Sequence, residues 1–476
     1  MFLLLPFLFA LLAGILFAAM RLPGGRLLRT LAVAAAAVEA LLLTLPMFFC
    51  SGAVVLWRFS DTLSVALGAD GIGALLGLLA GWGWFFSVLF ATEYMTGEEK
   101  ESRFYGCLFL SEACLVCVFF AANLLTLYLF FELLTLLSLP LVLHTGTKDA
   151  VAGAFSYLFY SIAGAILALF GIFVVYHAAG TLDFAAGGYL SANAPLILSG
   201  VFACVLGFGA KAGLYPLHAW LPAAHPQAPA PASALLSGLI TKSGVMAILR
   251  LLYYIVVPDS VRGTWVQNVL LGLALLTVLV GSAMALPEKN FKRRLAFSSV
   301  SQVSYVLVGL FLFDPTALTG SVLQILFHMI AKVGLFLCAG ALIHLTNKTG
   351  VEEFVGYGRV YPAVFVCYTM FSLSLIGIPP FGGFFSKWAL AVGALHTSGV
   401  FAWLAPVVLL LSALLTAGYL LPMTVHAFFP GKDAPPLSRQ RCPAALWLPL
   451  VILAAAALIP GIFYAPLQAA ITALLP

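Results

Sequence analysis

Two lysines stand inside apolar stretches of this 476-residue chain, and the segment between them is chemically unusual. Lys211 lies in one apolar stretch and Lys242 in the next, and five prolines separate them, at positions 216, 222, 226, 229 and 231. An ammonium group in the middle of a membrane costs roughly 2.5–3.5 kcal/mol, so such residues are rare and usually functional. Proline breaks a helix, and a membrane tolerates a break only beside protein or a water-filled cavity. A charged residue beside a broken helix predicts a site that moves ions across a membrane.

Carboxylates are equally rare in the apolar stretches. Only Glu39, Glu112 and Glu132 lie well inside them, and Asp70 begins another. An unpaired carboxylate in apolar surroundings takes up a proton rather than stay charged. A lysine partner would restore the charge of Glu132, and Lys211 is the nearest candidate in the chain. We expect Glu112 to be protonated or structurally paired, and the role of Glu39 stays open.

A second group of polar residues lies further along the chain. His328 and Lys332 are four residues apart, which places both on one face of a helix. Lys387 follows a double proline and two glycines, which repeats the combination of a lysine and a helix break. A run of hydroxyl and amide side chains at positions 298–305, which includes Ser301 and Gln302, is suited to hold ordered water inside a helix bundle.

The composition identifies the elements that must hold these residues. The chain is 63% hydrophobic and 8% charged, whereas ordinary globular proteins carry about 25% charged residues. At about 20 apolar residues per span, we predict an all-α integral membrane protein with about fourteen transmembrane helices and no soluble domain. The predicted spans are 2–20, 28–48, 68–92, 104–121, 124–143, 152–177, 195–221, 233–256, 265–286, 295–313, 318–345, 361–390, 399–428 and 444–470.

The positive charges predict how the chain crosses the membrane. Fifteen of the 22 Lys and Arg residues lie in alternate loops, three lie on the opposite side, and the remaining four are the lysines inside helices. Cytoplasmic loops carry the excess of positive charge, so we expect both termini outside. The first helix is expected to be retained, because Arg21, Arg26 and Arg29 follow it rather than precede it. The net charge of +5 therefore reflects topology and does not indicate nucleic-acid binding.

Two blocks of five helices have their broken member at the same place, the seventh and twelfth helices of the chain. Since five is odd, the blocks would have opposite orientations, and Gly/Pro-interrupted helices at matching places in inverted repeats indicate a transport site. We therefore predict three N-terminal helices (1–103), a first repeat (104–256), an inverted second repeat (265–428) and a C-terminal helix (429–476).

Each of these residues also has a purely structural interpretation. Lys211 would satisfy carbonyls freed at the break, Lys242 would extend towards a membrane surface, and His328 would be a core histidine. His218 and His225 either line a path for proton uptake or cap backbone groups. Cys114 and Cys117 lack a second cysteine pair or a nearby histidine, which argues against zinc or redox chemistry.

Four segments resemble hallmarks of the antiporter-like membrane subunits. These proteins occur in respiratory complex I, in membrane-bound hydrogenases and formate hydrogenlyases, and in multi-subunit cation/proton antiporters. The longest segment is KAGLYPLHAWLPAAHPQAP, which begins at Lys211, and the others are residues 292–302, 328–337 and 378–387. The resemblance covers nearly the full chain.

The resemblance implies a proton-translocating subunit of a redox-driven pump in the inner membrane of a prokaryote. Glu132 and Lys211 would form a pair, and Lys242, His328, Lys332 and Lys387 would carry protons along the middle of the membrane. The chain would perform no covalent catalysis and hold no cofactor or metal, while partner subunits of the membrane arm and of a peripheral module would carry iron–sulfur or other redox centres. The alternatives are a sodium/proton antiporter subunit without redox chemistry, and a structural subunit whose polar residues only dock neighbours.

Overall fold

A computed structural model of the protein describes residues 3–19, 24–49, 52–431 and 438–476. Arg21 and the ends of the predicted first helix lie outside these ranges. The N-terminal part contains helices α1 to α3, a short 3-10 turn and a two-stranded antiparallel hairpin. Their bounds are α1 Leu4–Ala19, α2 Arg26–Thr44, the 3-10 turn Leu45–Met47, β1 Val54–Arg58, β2 Ser64–Leu67 and α3 Gly71–Tyr94.

The remaining chain is helical, with two π-helical turns in its first half. That half contains α4 Glu101–Phe119, α5 Leu124–Val142, α6 Lys148–Ala179, α7 Pro195–Ala212, α8 Trp220–Ala224, α9 Ala230–Leu235, π turn Leu236–Ile240, α10 Thr241–Arg250, π turn Leu251–Ile255 and α11 Pro258–Val261. The second half contains α12 Trp265–Ala285, α13 Phe291–Leu312, α14 Pro315–Thr346, 3-10 turn Val351–Phe354, α15 Tyr357–Val360, α16 Pro362–Ile376, α17 Gly382–His396, α18 Val400–Phe428, α19 Ala444–Ile462 and α20 Tyr464–Thr472.

The chain is a multi-pass membrane protein. Twelve helical segments of the described chain are long and apolar enough to cross a membrane, and α1 and α16 are shorter apolar helices. The total of fourteen spans and the inverted repeats stay predictions, as do the domain boundaries. The hairpin is a departure from the purely helical prediction, because residues 54–67 pair as strands across a bulge between Val55 and Trp57.

Both helices predicted to be broken are broken. The seventh predicted span ends its first half at Ala212, where Gly213 adopts a φ of 86°, and resumes only at Trp220. The twelfth ends its first half at Ile376, where Gly377 adopts a φ of 89°. A left-handed residue at a helix C-terminus is readily supplied by glycine, which has no Cβ to clash. Two glycines therefore end the helices that precede the prolines.

The helices that carry polar residues form the centre of the bundle. The segment from α9 to the second π turn (residues 230–255) is buried along its whole length, helix α13 is buried from Leu295 onwards, and α14 is buried almost throughout. Helix α7 reaches this centre by close contact with α6, because a Cβ at Gly164 would lie 2.6 Å from the carbonyl oxygen of Gly207. Small residues let membrane helices approach this closely.

Helix α13 begins four residues before its predicted start at 295. The side chain of Asn290 accepts a hydrogen bond of 3.0 Å from the backbone N–H of Arg293, so Asn290 caps the helix at an earlier point. Lys292 consequently lies in the first turn and is 8% exposed. The prediction that every lysine other than four sits in a loop is therefore wrong for Lys292.

An ion pair joins the N-terminal helices to the centre of the bundle. Arg250, at the end of α10, donates two hydrogen bonds of 2.6 Å to the carboxylate of Asp70, and Tyr254 donates a third of 2.7 Å. Asp70 also caps α3 by accepting from the N–H of Gly73 at 2.9 Å. Burial alone would raise the pKa of Asp70, but the charge and hydrogen bonds of Arg250 outweigh it and hold that pKa below its usual value.

The lowered pKa of Asp70 makes a prediction about acid stability. Its ion pair stabilises the fold above the pKa of an unfolded aspartate and loses this contribution as the pH falls through the lower folded pKa. We expect Asp70→Asn to lower the free energy of unfolding at neutral pH by about 1–2 kcal/mol, because charge-assisted hydrogen bonds are lost but solvent screens the side chain of Asp70, which is 35% exposed. The difference from the wild type should shrink towards acid pH, as measured by thermal unfolding in detergent.

The matched control is the exposed pair of Asp259 and Arg262, in which the nitrogen and oxygen lie 2.9 Å apart. Exposed pairs contribute only about 0–1 kcal/mol, so Asp259→Asn should leave the melting temperature nearly unchanged. Equal effects of the two substitutions would contradict a stabilising role specific to Asp70.

Candidate functional site

Lys242 and His328 meet at the centre of the bundle. The Nζ of Lys242 lies 2.7 Å from Nδ1 of His328, although 86 residues separate them in the chain. Each residue is 1% exposed. The ammonium group also donates to the carbonyl of Ser237 at 2.8 Å and to the hydroxyl of Thr241 at 3.2 Å. Lys242 therefore points into the protein and does not extend to a membrane surface.

A widened helical turn places Lys242 in this position. The π turn Leu236–Ile240 directly precedes α10, and the carbonyl that Lys242 contacts belongs to Ser237 within that turn. π turns are rare and occur frequently at functional sites. The other nitrogen of His328, Nε2, is buried without a hydrogen-bond partner in the described part of the chain. A buried polar atom of this kind calls for an ordered water molecule.

Lys332 lies one turn beyond His328 on α14 and is fully buried. Its Nζ donates to the carbonyl of Leu295 at 3.0 Å and to the hydroxyl of Ser298 at 2.8 Å. Ser298 in turn accepts a hydrogen bond of 2.9 Å from the hydroxyl of Tyr419 on α18. The partners of Lys332 are therefore all neutral oxygen atoms.

Lys387 occupies the break between α16 and α17. Its Nζ donates to the carbonyls of Leu375 and Ile376, the latter at 3.0 Å, at the end of α16 where no helical N–H is available. The same atom lies 4.7 Å from the ring centre of Tyr305 on α13, close enough for a cation–π interaction. Lys387 thus donates hydrogen bonds to carbonyls left free at the second helix break.

Lys211 contacts α5 but does not form the expected ion pair with Glu132. Its Nζ donates to the carbonyl of Phe131 at 3.3 Å and to the hydroxyl of Thr135. Phe131 and Thr135 are four residues apart and share one helix face, whereas Glu132 lies about 100° further round the helix. Glu132 is only half-buried, and its Oε1 has no hydrogen-bond partner among the described residues. The two charges interact through space without contact.

The carbonyls freed at the first break do not explain Lys211. The indole Nε1 of Trp220 donates to the carbonyl of Ala210 at 2.8 Å, and Trp220 is fully buried. Lys211 itself is directed to the neighbouring helix. The interpretation of Lys211 as a cap for the broken helix is therefore wrong.

Small polar networks fill the space between the lysines. Ser301 joins Ser282 and Ser412 in a triangle of hydroxyls, with oxygen–oxygen distances of 2.6–3.2 Å. The amide oxygen of Gln302 accepts a hydrogen bond of 3.1 Å from the amide nitrogen of Gln324. The hydroxyl of Ser386 donates a hydrogen bond of 2.6 Å to the amide oxygen of Gln324. The Nε2 of Gln302 lacks a partner in the described chain, which again calls for buried water.

The two histidines of the proline-rich segment differ in their surroundings. His225 is fully buried against Phe336, with ring centres 5.2 Å apart, and neither of its nitrogens has a partner within the described ranges. His218 is half-buried and stacks on Tyr215 at 5.5 Å. His225 therefore caps no backbone group in the described chain, whereas the ring of His218 forms a hydrogen bond with the backbone at Pro216 and leaves its buried Nδ1 without a partner.

Sequence reasoning missed several residues of this site. Lys292 donates to the carbonyl of Ala228 at 2.6 Å, beside His225. The sequence contained one indication of its burial. Lys292 is three residues from the buried Leu295, and the two share a helix face if Asn290 caps the helix. Nothing in the sequence distinguished Thr135 and Tyr419 as site residues, because single hydroxyl side chains are common on apolar helices.

The arrangement can hold and pass protons. Lys211, Lys242 and Lys332 are buried with neutral acceptors, and burial disfavours the charged form of an amine, so each can give up and take back a proton. Within the described residues, no group of three or more His, Cys, Asp or Glu side chains is placed to hold a metal ion.

Residues 121–429 match the protein family described as NADH:quinone oxidoreductase/Mrp antiporter, transmembrane. The chain is 32% identical over 408 residues to NADH-quinone oxidoreductase subunit N of Desulforudis audaxviator, which covers 82% of this chain and 80% of that protein. It is 30% identical over 416 residues to a Na(+)/H(+) antiporter subunit of Alkalihalophilus pseudofirmus, and this match covers 87% of this chain and 83% of that protein.

The fold is also similar to that of a solved assembly. A chain in the structure of respiratory complex I from Thermus thermophilus with bound NADH superposes with a TM-score of 0.84 and 25% identity, and the match covers 100% of both chains.

The contact between Lys211 and Thr135 makes a prediction that a pair of variants can test. Thr135→Val keeps the shape of the side chain but leaves the buried ammonium without its hydroxyl acceptor. We expect it to lower the free energy of unfolding by about 2 kcal/mol, as for hydrogen bonds to charged groups. Thr135→Ser keeps the hydroxyl and should cost less than half as much. Thermal unfolding in detergent measures both variants, and equal losses would contradict the assigned hydrogen bond.

Proposed function

The chain belongs to the NADH:quinone oxidoreductase/Mrp antiporter transmembrane family, and on this premise we propose that it is a proton-translocating membrane subunit of a larger redox-driven complex. It is an antiporter-like membrane subunit of the kind found in complex I, in hydrogenases and in Mrp antiporters. The observation that carries the proposal is the contact of 2.7 Å between Lys242 and His328, two buried titratable groups with no carboxylate partner in the described chain.

The proposed path follows the buried residues through the middle of the membrane. A proton would pass from Lys211 to Lys242, then through His328 and Lys332 to Lys387. The contact of Lys242 with His328 supports the central step, and the buried amides and hydroxyls around Ser301 and Gln302 support water-assisted transfer elsewhere. His218, His225 and Lys292 supply a polar route for proton uptake to the central lysines.

Glu132 provides the proposed link to the driving reaction. Two charges roughly 4 Å apart interact by about 4 kcal/mol at an effective dielectric constant of about 20. Because Glu132 is half-buried and does not contact Lys211 in the isolated chain, a neighbouring subunit that moves it towards Lys211 would strengthen this interaction. The pair would then switch between holding and releasing a proton. This switching supplies a mechanism for coupling to a partner.

The larger complex remains part of the proposal. We infer about fourteen transmembrane helices in two inverted five-helix repeats, with both termini outside the inner membrane of a prokaryote. Other membrane-arm subunits would adjoin this chain, and a peripheral redox module would carry iron–sulfur or other centres. The transported ions are protons, while sodium ions belong to the second candidate function.

The second candidate is a subunit of a sodium/proton antiporter without redox chemistry. It is supported by the 30% identity to the Na(+)/H(+) antiporter protein of Alkalihalophilus pseudofirmus, which extends over 87% of this chain. The same line of lysines would serve exchange driven by an ion gradient. The two functions differ in their partners and share the internal path.

The internal path predicts that Lys242 is needed for proton transfer. Lys242→Gln keeps a hydrogen-bonding side chain but cannot carry a proton, so we expect proton flux to fall by about 100-fold, the low end for the loss of a proton-transferring group. The purified complex is reconstituted into lipid vesicles, and a pH-sensitive dye inside them reports the flux.

Lys348→Gln is the matched control, because Lys348 is a partly exposed lysine outside the buried line. Its flux should equal that of the wild type. Normal flux in Lys242→Gln, with the variant assembled into the complex, would refute the proposed path.

The two candidate functions predict different subunits that purify together with the protein. Gentle detergent extraction of a tagged chain from its native membrane, followed by mass spectrometry, identifies the partners. We expect subunits that carry redox centres. Small hydrophobic antiporter subunits without redox proteins would instead establish the second candidate, and purification of the chain alone would contradict both.

A further inference from the structure

Two buried glutamates lie outside the line of lysines and histidine. Glu39 on α2 and Glu112 on α4 are each 0% exposed, and all four carboxyl oxygens lack a hydrogen-bond partner in the described part of the chain. Both residues precede the region that matches the family, which begins at residue 121. The proposed proton path uses neither of them.

The geometry of the two helices places these residues at the same height. At the start of the helices, the Nε of Arg29 on α2 lies 2.7 Å from the carboxylate of Glu101 on α4. Glu39 follows Arg29 by ten residues, and Glu112 follows Glu101 by eleven. At 1.5 Å per residue both lie roughly 15–17 Å above the ion pair, about three turns along each helix. This is about half the thickness of the apolar layer. The electrostatic interaction between the two carboxyl groups agrees with this proximity.

Neighbouring helices bring no counter-charge to the pair. Helix α1 contains no titratable side chain. The charged groups on the other helices packed against α2 and α4 interact elsewhere, and Glu112 has an electrostatic interaction only with Glu39 among the described residues. These groups are Glu93 on α3, Glu132 on α5, Lys211 on α7, whose charge acts on Cys114 of α4, and Lys242 and Arg250 on α10.

Two unpaired carboxylates cannot both stay charged in this environment. Burial of an isolated charge is costly enough that the group neutralises instead, and a second negative charge nearby adds repulsion. A hard metal cation would need six or more oxygen ligands, whereas the pair offers four. Within the described ranges, no third acidic, His or Cys side chain completes a metal site. The proton is therefore the cation that the pair suits.

A buried hydroxyl lies on α4 between the ion pair and Glu112. Tyr105 on α4 is 0% exposed, and its hydroxyl has no hydrogen-bond partner among the described residues. It lies one turn above Glu101 and interacts electrostatically with Glu101 and Arg29. The guanidinium of Arg29 reaches the surface, since its side chain is 22% exposed. An unpartnered hydroxyl thus lies beside the surface ion pair, on the same helix as Glu112.

We propose that Glu39 and Glu112 form a second proton-holding site, in which the two carboxyl groups share one proton that exchanges with the Arg29–Glu101 side of the membrane by way of Tyr105. On uptake, a proton converts one carboxylate into a carboxylic acid, whose O–H can donate to the remaining carboxylate. On release, the same O–H bond breaks and both carboxylates are left to repel each other. The site does not depend on the proposed transport function.

Infrared spectroscopy tests whether the pair holds a proton. Glu39→Gln/Glu112→Gln, made as a double variant in the purified complex, keeps the side-chain shapes. Its spectrum at neutral pH should lack a protonated-carboxyl C=O band that the wild type shows. Glu101→Gln is the matched control on the same helix, because the ion-paired Glu101 is a carboxylate and contributes no such band. Identical wild-type and double-variant spectra in this region would overturn the proposal.

Deuterium exchange tests the path to the surface. In D2O the band of the wild type should shift to lower frequency, which shows that the shared proton exchanges. Tyr105→Phe keeps the aromatic ring and removes the hydroxyl, so the shift should become at least several-fold slower. A band that never shifts would overturn an exchangeable site, and an unchanged rate in Tyr105→Phe would overturn the route through that hydroxyl. Neither result depends on pumping activity.

Discussion

The cost of burying a charge away from water governs this structure. An ammonium group in the membrane interior is tolerated only when the protein supplies oxygen acceptors, and the lysines of the site obtain theirs from backbone carbonyls and hydroxyls rather than from carboxylates. Neutral acceptors satisfy the hydrogen-bonding groups without fixing the charge. A carboxylate in contact would hold each proton in place, whereas carbonyls and hydroxyls leave it free to move. The irregular helices are the source of these acceptors.

Helix breaks and widened turns therefore act as parts of the site. The π turn before α10 presents the carbonyl of Ser237 to Lys242, and the end of α16 presents its last carbonyls to Lys387. In a regular helix these carbonyls would be used by backbone N–H groups. The ion pair of Asp70 and Arg250 fixes the far end of the same helical segment to α3. The irregular stretch is thus held between fixed points and keeps its geometry.

The sequence predicted the parts of the site whose signals are local. A lysine in an apolar stretch stands out without any knowledge of the fold, and proline with glycine marks a broken helix within a few residues. The pairing of side chains was not predictable in this way. Asp70 and Arg250 are 180 residues apart, and the direction of Lys211 towards Thr135 rather than Glu132 depends on how α5 is rotated against α7. Lys292 was misplaced because one capping residue, Asn290, starts α13 early. The hairpin of residues 54–67 was missed because its strands are only five and four residues long.

The position of Lys387 links charge to the mechanics of the second broken helix. The C-terminal end of a helix carries partial negative charge, which a cation stabilises and a neutral group stabilises less. Because Lys387 contacts the last carbonyls of α16, its ammonium form strengthens the joint between α16 and α17, and its amine form loosens it. On the proposed path, a proton that reaches Lys387 would therefore stiffen this joint. Helix α17 packs against α14, the helix that carries His328 and Lys332, so a change at the joint would also act on these two residues.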